Sequence, residues 1–460
     1  DGDGVSDAAD QCPDQAGDGA DGCPSASQVS DVLDGYANGN SQLERTSTVI
    51  ADSCTSDRTT GRLKEDCDAL IGGAYAGLTG IGDALREITP ERAIKANDSN
   101  HQLGKVQNQN VGGRIAALRS GARGISAQGL AANVGDQRVA FNQVSDFISN
   151  FSVRAGGASA DEEVGMLENS RWGVFVTGEF TSGDRDKTER ESGFDFDTTG
   201  ITAGVDYRIR DDFIFGGALT YSDNETELDG DQGILDAKGQ SLSIYGTYFK
   251  PDSYFIDFAV SVGRSDFDQS RKLEYKLGND PWVRQIFYAD YDGDTLGAFI
   301  GGGWDFNRGA LSLGLRADLE FLRSESDGFT EIASDANGNG AGWAVKMDSS
   351  DQDWLTGGIT GRASYVLNQS WGVLIPYAEI DYSHEFRGDA QIITGSFAAD
   401  TSGMSLQVLI DEPDRDFFKL RVGASIQMPH GLSAFLDYGR LMSNSYWHSH
   451  TISAGLRYEF

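Results

Sequence analysis

The sequence predicts a mainly β protein. It reads as about twelve antiparallel strands closed into a transmembrane β-barrel, after an N-terminal helical or irregular region and a short acidic repeat. Three observations carry this. Apolar and polar residues alternate with a period of two from Arg171 to Phe460. The connections between these strands alternate between tight and long. The composition is rich in Gly (59), Phe (24) and Tyr (16), while no run reaches the ~18 apolar residues of a spanning helix. A closed barrel escapes that test because each of its strands is only half apolar.

The last strand shows the alternation best. Ile452, Ala454, Leu456, Tyr458 and Phe460 share one face, and Ser453, Gly455, Arg457 and Glu459 the other. An apolar face toward lipid and a small or charged face toward a lumen explains both sets. The pattern recurs in Phe418–Ile426, Leu311–Phe321, Leu374–Tyr382, Trp172–Val176 and Ile201–Tyr207. It places strands near 171–181, 198–209, 213–223, 239–249, 253–264, 294–306, 310–322, 354–367, 371–384, 416–428, 432–441 and 449–460. Tight connections fall at Arg210-Asp211-Asp212, Lys250-Pro251-Asp252, Asn307-Arg308-Gly309, Asn368-Gln369-Ser370 and Pro429-His430-Gly431. The longest connections are the acidic stretches Arg323–Asp353 and Phe386–Arg415. A soluble sandwich has no reason to alternate loop lengths in this way; a barrel with turns on one side of a membrane and loops on the other does.

Three regions follow from composition: 1–24, 25–169 and 170–460. The first is almost entirely Asp, Gly, Ala and Cys-Pro. The second is rich in Ala, Gln, Asn, Ser and Leu. Within it, Leu63–Leu85 has Leu63, Leu70, Ala74 and Leu78 near a 3.6 period, and Gly112–Ser120 carries Ile115 and Leu118 beside Arg114 and Arg119. Both read as helices of a stalk. The chain opens inside a motif, as the downstream part of a longer precursor would.

All four cysteines lie early, at Cys12, Cys23, Cys54 and Cys67. Their gaps are wider than those of zinc pairs. Two local disulfides, Cys12–Cys23 and Cys54–Cys67, fit best by proximity among three possible pairings and imply an oxidising compartment. The formal charge of −34 argues against nucleic acid as a partner. It suits a cell exterior where divalent cations bridge carboxylates.

Chemistry-bearing motifs are sparse. Asp290-Tyr291-Asp292-Gly293-Asp294 has calcium-loop spacing without the downstream bidentate Glu, and reads as a solvated loop. His448 and His450 share a strand face with no third metal ligand in view. No nucleophile elbow, H-E-x-x-H, Walker loop or dinucleotide fingerprint occurs, so the chain reads as non-enzymatic. Glu179, Arg316, Asp318, Glu379, Arg421 and Arg457 are expected to face the lumen in a structural role.

Two resemblances add to this reading. Arg171–Phe460 resembles the β-domain family of autotransporters (type V secretion) in its length, its strand number, its Pro376-Tyr377-Ala378-Glu379-Ile380-Asp381-Tyr382 strand and its terminal Tyr458-Glu459-Phe460. Gly113-Arg114-Ile115-Ala116-Ala117-Leu118-Arg119-Ser120-Gly121 looks like the segment that precedes such barrels. The resemblance implies a bacterial outer-membrane location in lipid and an N-terminal region at the cell surface. It also implies an upstream passenger, a segment threading the lumen, and a barrel-assembly machinery that reads Tyr458 and Phe460. The threading segment is expected between Asp136 and Asn169.

The opening Asp1-Gly2-Asp3-Gly4-Val5-Ser6-Asp7-Ala8-Ala9-Asp10-Gln11-Cys12-Pro13 resembles a thrombospondin type 3 calcium repeat. By that resemblance Asp1, Asp3, Asp7 and Asp10 are calcium ligands and Cys12 joins a disulfide; the family's first ligand would precede Asp1. The expected function is a membrane anchor and secretion conduit displaying a calcium-stabilised adhesin or filament. A porin-like channel and an anchor for an enzymatic passenger are the alternatives.

Overall fold

The computed structural model describes residues 17–18, 22–119, 124–128, 171–250, 253–387, 390–428 and 432–458. Asp1, Asp3, Asp7, Asp10, Cys12, the 136–169 segment and Phe460 lie outside them.

Twelve antiparallel strands close into a barrel. They are β1 (Trp172–Arg185), β2 (Phe194–Arg210), β3 (Phe213–Leu228), β4 (Gly233–Phe249), β5 (Tyr254–Tyr275), β6 (Val283–Arg308), β7 (Leu311–Ser326), β8 (Ser350–Tyr365), β9 (Gly372–Glu385), β10 (Asp416–Gln427), β11 (Leu432–Met442) and β12 (Trp447–Tyr458). Each pairs with its sequence neighbour. β12 returns to β1 from Trp447 opposite Arg185 to Ile452 opposite Phe180, so the ladder has no open edge there. Toward the short-turn end a strip, Gly124–Gln128, lies at this seam. It runs parallel to Gly173–Thr177, with Ala127 opposite Leu456.

The outward face carries the expected apolar belt. Leu219, Leu242, Val260, Ile300, Leu313, Ile359, Ile380, Leu420 and Leu436 are large and exposed. At the short-turn end Trp172, Tyr254, Trp304, Tyr365 and Trp371 are exposed too, the amphipathic rings that suit a membrane–water boundary.

The strands follow the expected order but run farther at the long-loop end. β5 has 22 residues and β6 has 26, against the ~9–11 that cross a bilayer. Past Val262 on β5 the outward face changes to Arg264, Asp266 and Asp268, so the outer half of this sheet stands beyond the apolar belt. Asp290–Asp294, expected in a loop, lies inside β6, with Asp292 opposite Asp266. Its outward residues, Asp290, Asp292 and Asp294, are acidic while Tyr291 between them is buried inward, and a search for lipid-facing alternation misses a strand that has left the lipid.

Two elements before the barrel differ in kind. Helices α1 (Ala26–Ala37), α2 (Ser41–Cys54), α3 (Gly61–Tyr75) and α4 (Ile81–Ile88) cluster at the long-loop end. Asn40 starts α2 by accepting the amides of Gln42 and Leu43 at 3.0 and 3.1 Å. The expected single helix over Leu63–Leu85 breaks between α3 and α4. Gly77 (φ +66) and Gly80 (φ +90) sit there, and a Cβ on Gly80 would stand 2.0 Å from the Lys276 carbonyl. The other element is α5 (Ala96–Arg119), which contains the expected Gly112–Ser120 stretch as far as Arg119.

Candidate functional site: the barrel lumen and its outer end

α5 lies inside the barrel. Its 24 residues, at ~1.5 Å each, span about 36 Å, enough to run through the membrane-spanning zone. Much of the inward face of the strands is small and polar: Thr198, Thr202, Thr220, Ser222, Asn224, Ser243 and Thr247 are all buried. A helix entering such a lumen must satisfy these groups, which explains why α5 has no continuous apolar stripe.

Its contacts descend in order from the long-loop end. Asn97 donates to Ser350 Oγ at 3.0 Å and accepts from Ser324 Oγ at 2.9 Å. Asn100 Nδ2 donates to the same Ser324 Oγ at 2.9 Å. His101 stacks on Trp354 with ring centroids 4.4 Å apart. Midway, Gln107 Nε2 donates to Ser243 Oγ at 2.6 Å and Asn108 Nδ2 to Glu320 Oε1 at 2.5 Å. Val106 approaches the wall where β2 has Gly200; a Cβ there would meet Val106 Cγ1 at 2.3 Å.

Near the short-turn end the contacts become ionic. Arg114 forks onto Asp206 Oδ2, with Nε at 2.8 Å and Nη2 at 2.7 Å, and Tyr245 donates to the same oxygen at 3.2 Å. Arg114 and Asp206 are almost wholly buried. One turn on, Arg119 pairs with Asp257, which also accepts from Thr247 Oγ1 at 2.7 Å. Val111, Ile115 and Leu118 pack there against Phe175, Tyr245, Phe249 and Phe255.

At the other end Lys95 Nζ meets Glu191 Oε1 at 2.8 Å, both buried. Glu191 also accepts from Arg185 Nη2 at 2.6 Å and the Asp411 amide at 2.9 Å. Burial works against the Glu191 carboxylate, but the Lys95 ammonium and the Arg185 guanidinium outweigh it and hold its pKa down, to about 2. One buried carboxylate thus ties the start of α5 to two loops and the end of β1. The nearby Glu91 carboxyl is pushed up by its burial, with Arg92 opposing.

The long connections expected as loose acidic loops are folded. Parts of them, Phe329–Thr330, Val345–Met347, Ile392–Phe397 and Leu406–Leu409, form a four-stranded sheet. Together with α1–α4 this makes a cap with a continuous apolar core that includes Leu33, Ile50, Leu70, Leu85, Trp343 and Phe397. Trp343 donates to Tyr275 Oη at 3.0 Å. Asp66 of α3 accepts the amides of Gly340 and Gly342, each at 2.9 Å. Gln42 of α2 extends the small sheet, donating to the Gln407 carbonyl at 3.1 Å and accepting the Leu409 amide at 3.0 Å. Arg271 grips Glu331 through two bonds of 2.8 and 2.6 Å, fully buried.

Of the cysteines, Cys54 and Cys67 are bonded and join α2 to α3. Cys23 is also disulfide-bonded. The expected lumen charges Arg316 and Asp318 pair at 3.2 Å, and Arg421 lies 3.6 Å from Glu379 and from Asp437. Asp206 and Asp257 were visible in the sequence only as polar positions of alternating strands. Tyr458 pairs with Leu432 in the β11–β12 ladder. His448 and His450 do not share partners: His448 Nδ1 is 3.2 Å from Asp184, and His450 Nδ1 is 2.5 Å from Tyr438 Oη.

A twelve-stranded barrel with a lipid-facing belt and a helix through its lumen defines an outer-membrane translocator domain. The profile of the Autotransporter beta-domain matches residues 174–439, and the chain belongs to that family. Among curated relatives, Outer membrane protein B of Rickettsia rickettsii is 23% identical over 307 residues, which is 64% of this chain and 17% of that protein. Lipase 1 of Photorhabdus luminescens is 24% identical over 264 residues, 56% of this chain and 38% of that one. This chain therefore spans less than half of either relative. Solved structures similar to it include the translocator domain of autotransporter NalP from Neisseria meningitidis, at TM-score 0.46 and 14% identity, covering 69% of this chain and 98% of that one. The β domain of the Bordetella autotransporter BrkA follows at TM-score 0.44 and 18% identity, covering 63% and 100%.

Proposed function

We propose that this domain anchors and displays a surface passenger, an adhesin or filament, and that α5 is the trailing end of the exported chain, left in the lumen as a plug. The observation that carries the reading is the course of α5. It runs from the Lys95–Glu191 pair at the long-loop end to the Arg119–Asp257 pair at the short-turn end. A chain arranged so has its upstream part at the long-loop end and must turn back at the other end to begin β1. The long-loop end then faces outside the cell and the short turns face the periplasm. The acidic repeat, through Asp1, Asp3, Asp7 and Asp10, binds calcium and stiffens the stalk. The barrel-assembly machinery reads Tyr458 and Phe460.

Cysteines placed at exposed positions test the orientation. Asn337→Cys should react with a membrane-impermeant thiol reagent on intact cells, and Asp211→Cys only after permeabilisation. The reverse pattern overturns the reading. For the repeat, chelating calcium should speed proteolysis before Pro24 and leave the heat-resistant barrel intact. An N-terminal region that binds no calcium at millimolar concentration would refute it. The likeness to Lipase 1 supports one alternative, an enzymatic passenger; the sequence upstream of a full-length precursor separates the two.

A further inference from the structure

The barrel closes where β12 meets β1, and the outer end of that seam carries a cluster of metal-ligating side chains that no function above uses. His448 on β12 stands directly opposite Asp184 on β1. Asp186 follows just beyond β1, held in line with the ladder by its amide bond to the Tyr446 carbonyl at 2.8 Å. The ligand atoms of Asp184, Asp186 and His448 all lie within 4.8 Å of one another. His448 Nδ1 is 3.2 Å from Asp184 Oδ2 and 3.9 Å from Asp186 Oδ2. We infer that these three side chains form a site for a borderline divalent metal ion of the zinc class, which bridges the first and last strands and locks the outer end of the barrel seam.

The donor set decides the class. One imidazole nitrogen and two carboxylate oxygens match zinc with a fourth position open to water, whereas calcium and magnesium prefer oxygen alone. Asp184 and His448 are part-exposed and Asp186 is exposed, so an ion can enter and leave from solvent. The backbone beneath them is paired in the closing ladder. On the opposite face of the same strands Trp447 packs edge-on against Phe194 and Phe196 at 5.4 and 5.6 Å, fixing β12 against the first hairpin. Asp195, opposite Asp184 on β2, adds a third carboxylate beside the cluster. An ion held there would neutralise carboxylates that otherwise repel across the ladder. It would also connect two strands joined along this stretch only by backbone hydrogen bonds and side-chain contacts.

The experiment uses the full chain, purified in detergent micelles and stripped with chelator, and titrated with zinc chloride. Cobalt(II) serves as the spectroscopic substitute. Binding is followed by calorimetry and cobalt absorption, and seam stability by the temperature at which the compact, heat-modifiable band unfolds on gels. Expected are a zinc-dependent rise in that temperature, no rise with magnesium, and loss of both signals in His448→Ala. Asp184→Asn should weaken binding at least about tenfold, as expected for losing one of three ligands. His450→Ala, two residues along the same strand and bonded to Tyr438, should behave as the unaltered chain. If His448→Ala fails to assemble, the stripped and zinc-loaded forms of the unaltered chain still decide the matter. Absence of zinc binding at millimolar concentration overturns the inference, as does binding by His448→Ala equal to that of the unaltered chain. Zinc binding with no change in unfolding temperature overturns the seam lock.

Discussion

The cap and the plug are consecutive pieces of one chain, both buried against the same barrel, yet they are held in opposite ways. α1–α4 bury Val29, Leu33, Ile50, Leu63, Leu70, Ile81, Leu85 and Ile88 in an apolar core that they share with Trp343, Val345 and Phe397. α5 instead presents Asn97, Asn100, Gln107, Asn108 and Arg114 to serines, threonines and acids of the wall. The difference follows from what each surface meets. The cap packs loops and sheet that have left the membrane and can build an ordinary core. The lumen wall alternates with a lipid-facing side, so outside the aromatic patch of Phe175, Tyr245, Phe249 and Phe255 its inward residues are largely polar, and each polar one must find a partner. The two regions should therefore fail differently: the cap by cavities, the plug by unpaired polar groups.

Substitutions at the centre of each region should separate these modes. Arg114→Ala leaves Asp206 and Tyr245 buried without their cation, and should cost ~3–5 kcal/mol and release the lower end of α5. Arg114→Met paired with Asp206→Leu should restore most of it, because no charge is then stranded. Trp343→Ala should cost a similar ~3–5 kcal/mol but act on the cap alone. Limited proteolysis of the folded protein in micelles reads both, with cleavage near 114–119 in the first case and within 26–95 in the second. Equal loss of both regions in either variant would merge them into one cooperative unit and undo the comparison.

Removing the Cys54–Cys67 bridge by a Cys67→Ser and Cys54→Ser pair should come next. The bridge spans 13 residues, for which loop-closure entropy predicts about 3 kcal/mol, confined to the cap. Cap proteolysis should quicken while the heat-modifiable barrel band stays unchanged.

The joint between the regions is pH-sensitive through Glu191. Its pKa is lowered from 4.5 to about 2 in the folded protein, so its contribution is complete above about 4.5 and is lost as pH falls toward 2. Fluorescence of a label near Lys95 should report loosening only below pH 4.5, and Glu191→Gln should show the loosening at neutral pH.

The smallest effect is expected on the outer face of the projecting strands. Asp197, Glu225, Asp236, Asp268 and Asp290 stand in one cross-strand row, each directly opposite the next. Like charges so placed are destabilising, and Asp268→Asn should raise stability by ~0.2–1 kcal/mol, less at high salt. A loss of stability would mean that the row holds something the repulsion argument omits.

Much of this was legible in the sequence. Leu311–Phe321 and Phe418–Ile426 alternate as lipid-facing strands must, and the tight connection at Arg210–Asp212 fixed the hairpin phase. The helix at Arg114 and Arg119 showed as a basic stretch. Its place in the lumen did not, since Asn and Gln facing a polar wall give the same pattern as an exposed linker. The threading segment expected at 136–169 lies outside the described residues, and the helix seen in the lumen is Ala96–Arg119. The cap was hidden for another reason. Its core joins α3 to Trp343 and Phe397, far apart in the chain, and no local period reports such a contact. The seam cluster was half visible: His448 stood out, but its partners Asp184 and Asp186 are brought to it only by barrel closure.

The occupied lumen is the central claim, and a cross-link across it tests that claim most directly. Gln107 and Ser243 touch at 2.6 Å in the middle of the barrel. In a Gln107→Cys and Ser243→Cys variant, assembled in cell outer membranes, a short thiol-to-thiol linker should join α5 to β4 in high yield within one chain. The joined form should migrate differently from the unjoined form once the barrel is boiled open. The account predicts that product and its absence from either single variant. A folded, heat-modifiable barrel in which both cysteines react separately with a water-soluble thiol reagent and no intramolecular product forms would contradict it.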